Sequence, residues 1–284
     1  MRIFMTGATG YIGGAVAKAL HARGHEVGAL VRPDAEAREL RDLGAFLLSG
    51  TLESLPSLRE QLDSYDAFVH TAAARDHHVE ADRIAVETFT SIGRTFVYTS
   101  GVWVLGKTTS ADESSATNPL SIVAWRPAHE ERVLAAGGCV IRPGCVYGGK
   151  QSLLADWFVA AQQERPLHIV GDGTNRWAMV DLTELSDLYA RAVEQSARGM
   201  LHGIDDSHAT LEECARAVAP NGTIEKTPAD EARAKLGPFV DALVVDQVIA
   251  SEATRAKTGW SPRRTFVGSV SEQWQEWRTV SSRA

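Results

Sequence analysis

The chain is expected to adopt an α/β fold, a doubly wound parallel sheet with a smaller C-terminal α/β substrate lobe interleaved with it. Two observations carry that expectation. Through the first half, short apolar runs alternate with segments of helical periodicity. After about residue 148 the rhythm breaks into short helices and strands separated by Gly and Pro. At 284 residues the chain has room for one large domain with an appended lobe, or two modest domains.

The elements follow in order. Residues 2–6 read as a buried strand. Ile12, Val16, Ala19 and Leu20 recur at helical spacing, and Gly24 is placed to end that helix. Residues 27–31 form a second apolar run. Asp34 can cap a helix carrying Leu40 and Leu43, which stops at Gly44. Short strands are expected at 45–48, 67–71, 95–99 and 139–141, with a short helix before Thr95. Residues 153–163 read as a helix, 168–170 as a strand, and Gly171-Asp172-Gly173 as a turn. An amphipathic helix over 182–193 returns to the sheet. The expected division is residues 1–148 for the sheet domain, completed by about 182–204. Residues 149–181 and 205–284 then form the smaller lobe, with a cleft between the two.

The composition narrows the function classes. A hydrophobic fraction of 44% and a charged fraction of 23% are ordinary for a soluble globular chain. A net charge of −7 with scattered arginines gives no footprint for nucleic acid or an anionic membrane, so a small-molecule partner is expected. Met1-Arg2 leads straight into a strand-like run, and no apolar stretch is long enough to span a bilayer. Cys139, Cys145 and Cys214 lack paired spacing, which argues against a disulfide framework or a metal site and for a reducing cytoplasm. Cys145 reads as a small buried filler, with a place near a ligand as the alternative.

The sharpest local signal is Gly7-Ala8-Thr9-Gly10-Tyr11-Ile12-Gly13, between the first strand and the first helix. Small residues there let the backbone approach a pyrophosphate, and the helix start presents free N–H groups and a positive dipole end. In that context the pattern predicts a Rossmann-type dinucleotide site. The end of the second strand selects between dinucleotides, because an acid there binds the ribose hydroxyls of NAD and an arginine accommodates the 2′-phosphate of NADP. The strand ends on Arg32, and the nearby acid, Asp34, follows a proline. This favours NADP(H) over NAD(H); the alternative is that Arg32 is a solvated surface charge.

Taken in order, several segments resemble the extended short-chain dehydrogenase/reductase family, the epimerase/dehydratase-like group. They are Thr6 with the glycine motif, His70-Thr71-Ala72-Ala73, Phe96-Val97-Tyr98-Thr99-Ser100-Gly101, Arg142-Pro143-Gly144-Cys145-Val146-Tyr147-Gly148, Gly171-Asp172-Gly173 and Gly259-Trp260-Ser261-Pro262. The resemblance implies a cofactor across the C-terminal strand ends. Thr71, Ala72 and Ala73 would flank its adenosine half, and Thr99, Ser100, Pro143, Gly144 and Val146 its nicotinamide half. A homodimer through helices of the Rossmann half would be in keeping with the family.

The family works through a Tyr-x-x-x-Lys pair and a Ser or Thr after the fifth strand. The lysine depresses the tyrosine's pKa and holds the nicotinamide ribose. Here the tyrosines are Tyr11, Tyr65, Tyr98, Tyr147 and Tyr189, and four residues later stand Ala15, Val69, Val102, Gln151 and Val193. The corresponding helix reads Ala124-Trp125-Arg126-Pro127-Ala128-His129-Glu130-Glu131, and the Ser/Thr position falls on Gly101 beside Ser100. The chain is thus an atypical member. The usual Val-His-Val-x-Asp stretch reads Val180-Asp181-Leu182-Thr183-Glu184, and Gly-Asp-Leu becomes Gly50-Thr51-Leu52.

Tyr147, His129 and Ser100 remain as candidate proton donors. His129 reads otherwise as a helix-surface histidine beside Glu130 and Glu131, Tyr147 as a packing or orienting residue, and Ser100 as a hydrogen-bonding partner of cofactor or backbone. Of seven tryptophans, Trp103, Trp125 and Trp177 fall on segments expected to face the cleft. With Tyr147 and Arg176 they suggest an aromatic-walled substrate pocket, against a plain core role. Arg176 can take an anionic group, or pair with Asp172 or Asp181. Trp260, Trp274 and Trp277 read as C-terminal packing. Three functions follow: an NADP(H)-dependent reductase or dehydrogenase of a small organic substrate, a catalytically weak cofactor-binding sensor, and a sugar-nucleotide epimerase or dehydratase.

Overall fold

The computed structural model describes residues 1–74, 77–149 and 151–281. Seven strands form one sheet: β1 (Arg2–Thr6), β2 (Glu26–Val31), β3 (Phe46–Ser49), β4 (Ala67–His70), β5 (Thr95–Thr99), β6 (Cys139–Pro143) and β7 (Gly199–Gly203). Their spatial order is β7-β6-β5-β4-β1-β2-β3, and every pairing is parallel. Met5 faces Ala29 of β2 on one side and Val69 of β4 on the other. The order reverses between those neighbours, so the chain leaves β1 and β4 in opposite directions and opens a crevice at their carboxyl ends.

Strand alternation assigns each face its helices. Ile3, Met5, Val69 and Ile141 pack on one side with α1 (Tyr11–Ala22), through Val16, Ala17 and Leu20. Phe4, Phe68, Phe96 and Val140 pack on the other with α2 (His78–Ile92) and α3 (Arg126–Ala135), through Ala85, Phe89 and Val133. Each fully buried Leu or Phe of this kind contributes about 1.5–3 kcal/mol. The first face also receives α4 (Leu182–Glu194), whose Asp181 carboxylate accepts the N–H groups of Thr183 and Glu184 at 2.8 and 3.1 Å. That acid caps a helix end whose donors are otherwise unpaired.

Two expectations fail here. The helix before Thr95 is not short, since α2 runs for 15 residues. Asp34 caps nothing: the helix spans Arg38–Asp42 behind Ala37, with no side-chain cap bond. Asp34 instead lies 3.8 Å from Arg32 Nε.

The remaining chain builds the lobe from short parallel pairs, two of which use strands, Thr108–Ala111 and Cys145–Tyr147, inside the range 1–148 expected for the sheet domain. Cys145–Tyr147 pairs with Met179–Asp181, Leu167–Val170 with Ile224–Thr227, and Thr108–Ala111 with Gln247–Ile249. Trp157, Phe158, Trp177, Phe266 and Trp277 fill its core. Trp274 packs edge-on against Phe158 and Trp277, while Trp260 is buried in the core of the main sheet.

Candidate cofactor and substrate cleft

The first turn is shaped by contacts that admit no side chain. Gly7 has φ +79°, and a Cβ there would lie 2.5 Å from the Ala72 nitrogen. A Cβ on Gly13 would strike the Gly7 carbonyl and lie 2.5 Å from Thr71 Oγ1. These two glycines therefore let α1 sit directly on the β1 and β4 ends. Gly10 differs, because a Cβ there would meet only the Gly7 carbonyl, at 3.2 Å, and would otherwise fill the open cleft. Gly10 also caps α1 without any side-chain acceptor. The helix N–H groups are thus left for an anion.

A cavity of about 770 Å³ opens at this turn. Gly7, Thr9, Gly10, Tyr11, Ile12, Gly13, Arg32, Thr71, Ala72 and Ala73 all line it. So do Leu30, His77 and Gly50, Thr51, Leu52 and Glu53, of which the sequence marks only the altered Gly50-Thr51-Leu52 stretch. The Arg32 side chain is about half exposed, at 52%.

A second cavity of about 280 Å³ shares Tyr11 and Ile12 with the first and is lined by Ser100, Trp103, Pro143, Gly144, Cys145 and Val146. Tyr11 bridges the two, its hydroxyl donating to the Gly148 carbonyl at 2.5 Å. Burial, with Cys145, Asp181 and Glu276 nearby, pushes its pKa far above that of a free phenol. Ser100 is 7% exposed, and its Oγ is buried with no hydrogen-bond partner. Thr99 is not among the lining residues: its Oγ1 bonds the Tyr189 hydroxyl at 2.7 Å. Its carbonyl accepts from Arg126 Nη1 at 3.0 Å, and Arg126 itself lines the cavity. In the sequence Arg126 is marked only as a cation at the start of the altered helix.

Five of the catalytic and substrate-pocket candidates line neither cavity. Tyr147 is fully buried in the lobe, edge-on to Phe266, with its hydroxyl donating to Asp205 Oδ2 at 3.2 Å. Trp177 belongs to the lobe core. Arg176 pairs with neither Asp172 nor Asp181 but forks onto Asp246 at 2.7 and 2.8 Å. Trp125 does not line the smaller cavity but backs Arg126, whose guanidinium carbon lies 4.5 Å from its ring centre.

His129 is neither a surface residue nor a cleft residue. It is 4% exposed, and its Nδ1 donates to Asp82 Oδ2 at 2.7 Å. His70 Nε2 meets Asp82 Oδ1 at 3.1 Å, the Tyr98 hydroxyl donates to Oδ2 at 2.8 Å, and His70 Nδ1 lies 2.5 Å from Thr6 Oγ1. Burial pushes the Asp82 carboxyl up, but the bonds from His129, His70 and Tyr98 outweigh it and hold it well below the usual carboxylate range. Asp82, missed in the sequence, thus links α2 and α3 to Thr6 at the cavity wall. Beside it, Glu130 forms a buried fork with Arg142.

Fold and cleft together define a dinucleotide-binding α/β protein. Residues 3–202 match the NAD dependent epimerase/dehydratase family, and the chain belongs to it. It is 27% identical over 284 residues to an uncharacterized protein of Saccharomyces cerevisiae, covering 93% of this chain and 95% of that one. It is 28% identical over 228 residues to the 4-hydroxy-2-methyl-3-oxo-4-farnesyl-3,4-dihydroquinoline-1-oxide ketoreductase of Stigmatella aurantiaca, covering 72% and 68%. Among solved structures it resembles Pal from Bacillus thuringiensis, with TM-score 0.85, 18% identity, and 99% and 100% coverage. It also resembles Thermus thermophilus UDP-glucose 4-epimerase in complex with NAD, with TM-score 0.83, 19% identity, and 98% and 99% coverage. The structural likeness is one of fold.

Proposed function

We propose that this protein is an NADP(H)-dependent reductase of a small organic carbonyl compound that works without a Tyr/Lys pair. The observation that carries the cofactor half is Arg32: it stands at the end of β2 on the wall of the larger cavity, half exposed, with its nearest acid 3.8 Å away. A 2′-phosphate at that wall would meet an unforked guanidinium. The free N–H groups of α1 and the open side of Gly10 suit the pyrophosphate, and the unpartnered Ser100 Oγ suits a polar atom at the nicotinamide end. When bound, the reduced dinucleotide would supply a hydride to a ketone carbon and become oxidised, and the oxygen would take its proton from solvent. The ketoreductase relative supports that direction of chemistry.

The protein's own contribution is placement. Pro143, Gly144 and Val146 wall the smaller cavity beside Trp103 and Leu153, and Ser100 lines it with its Oγ buried and without a protein partner. A second reading, a cofactor-binding sensor, is favoured by one fact: among the described residues no imidazole or carboxylate lines the smaller cavity. A reducing cytoplasm and a small-molecule partner are part of the same proposal, and the three free cysteines are compatible with that setting.

Arg32→Ala separates the cofactors. It should weaken NADPH binding roughly ten- to hundredfold, the worth of charge-assisted hydrogen bonds, and leave NADH nearly unchanged. Equal losses would refute the 2′-phosphate assignment. NADPH oxidation with a panel of aldehydes, ketones and enones tests the reductase; binding without turnover across the panel would favour the sensor.

A further inference from the structure

We infer that the substrate carries a carboxylate that docks on Arg126, with its carbonyl presented toward Ser100. The inference rests on the reductase reading of the same site and deepens it to a substrate class: oxo acids with a compact apolar body.

Three observations lead there. Arg126 is the one charged group lining the smaller cavity among the described residues. It makes no ion pair among them, although the same chain pairs Arg142 with Glu130 and Arg176 with Asp246. Arg126 is also held: its Nη1 donates to the Thr99 carbonyl at 3.0 Å, and the Trp125 ring covers its guanidinium at 4.5 Å. A guanidinium fixed by one nitrogen and one face keeps its other donors for a ligand, and a planar fork matches a carboxylate. Independently, Ser100 lines the same cavity, and its Oγ is buried without a hydrogen-bond partner among the protein atoms, a polar group left over for a bound molecule.

The rest of the lining limits what the anion is attached to. Val102, Val123, Val146, Leu153 and Trp103 form apolar walls around about 280 Å³. One cation there balances one negative charge. A phosphate dianion would leave a charge uncompensated in mostly apolar surroundings, at a high cost. A monoanionic carboxylate on a small hydrocarbon or aryl body satisfies both the charge and the walls.

The test uses the full-length protein loaded with NADPH, titrated with benzoylformate, levulinate and acetoacetate, each beside its methyl ester. Binding is read calorimetrically and turnover by NADPH absorbance. At least one acid should bind roughly ten- to hundredfold tighter than its ester. Arg126→Met should abolish that preference while leaving ester affinity and NADPH affinity within about twofold, and Arg126→Lys should retain part of it. The proposal is overturned if no acid outbinds its ester, or if Arg126→Met weakens acid and ester alike. It is overturned equally if that variant's main loss is in NADPH affinity, which would assign Arg126 to the cofactor. The two readings fail separately. Arg126-dependent acid binding without NADPH oxidation removes the reductase and keeps the anion site. Turnover with no preference for acids does the reverse.

Discussion

Asp205 offers a test of how the lobe is held to the sheet. Its carboxyl is 3% exposed, and burial pushes it up to about 7 from the usual 3.8. The accepted bonds from Ser207 N–H at 2.7 Å and the Tyr147 hydroxyl at 3.2 Å favour the ionised form but do not outweigh burial. Below the unfolded pKa, both folded and unfolded states are protonated, and the stability associated with the raised pKa is fully present. As pH rises the unfolded chain releases its proton first, so that stability is lost progressively until the folded pKa near 7 is passed. The shift spans roughly three pH units at 1.36 kcal/mol each, a ceiling of about 4 kcal/mol. Asp205→Asn removes the titration while keeping an acceptor for Ser207. The variant should therefore gain stability over the parent by about 1–3 kcal/mol at pH 8 and little or none at pH 4.5. Urea denaturation across that range measures both proteins. A parent-minus-variant difference that is flat with pH, or a variant weaker at pH 8, would refute the argument.

Other consequences are as direct. Gly13→Ala forces a Cβ into the Gly7 carbonyl and onto Thr71 Oγ1, so it should cost about 1–3 kcal/mol and weaken both dinucleotides together; thermal melting with and without cofactor reads this, and an unchanged melting temperature would contradict it. Asp82→Ala strands the donors of His70, Tyr98 and His129 in the interior and should cost about 3–5 kcal/mol in urea denaturation, whereas a loss below about 1 kcal/mol would mean that the network contributes little. The contrasting losses of NADPH and NADH in Arg32→Ala, and of acid and ester in Arg126→Met, test the two halves of the cleft.

Much of the sheet was legible because it is local. Strand β5 was read at Thr95–Thr99 and the start of α4 at Leu182 from apolar runs and periodicity alone. The errors came where local signals compete. Asp34 looked like a cap, yet the chain stays irregular through Ala37 before turning helical. The stretch preceding Thr95 is rich in charge and Thr, which hid a long α2 whose Ala81, Ala85 and Phe89 reach the core.

The sequence by itself determined the cofactor end of the cleft. There, a strand, a glycine turn and a helix start are contiguous, and Thr71, Ala72 and Ala73 follow one strand end. In the proposed reading, backbone geometry and small residues do the binding there, and these are properties of short segments. The substrate end was decided only by tertiary structure. Whether Tyr147 faces a ligand or Asp205 depends on a partner 58 residues away. His129 and Asp82 meet across 47 residues, and Arg176 finds Asp246 across 70. No periodicity encodes those distances. Arg126 acquires its meaning in the same way, from a Thr99 carbonyl, an indole face and the absence of any carboxylate among the described residues of that cavity. A charged side chain is read from sequence as a charge, and only packing shows whether its counterion is protein or ligand.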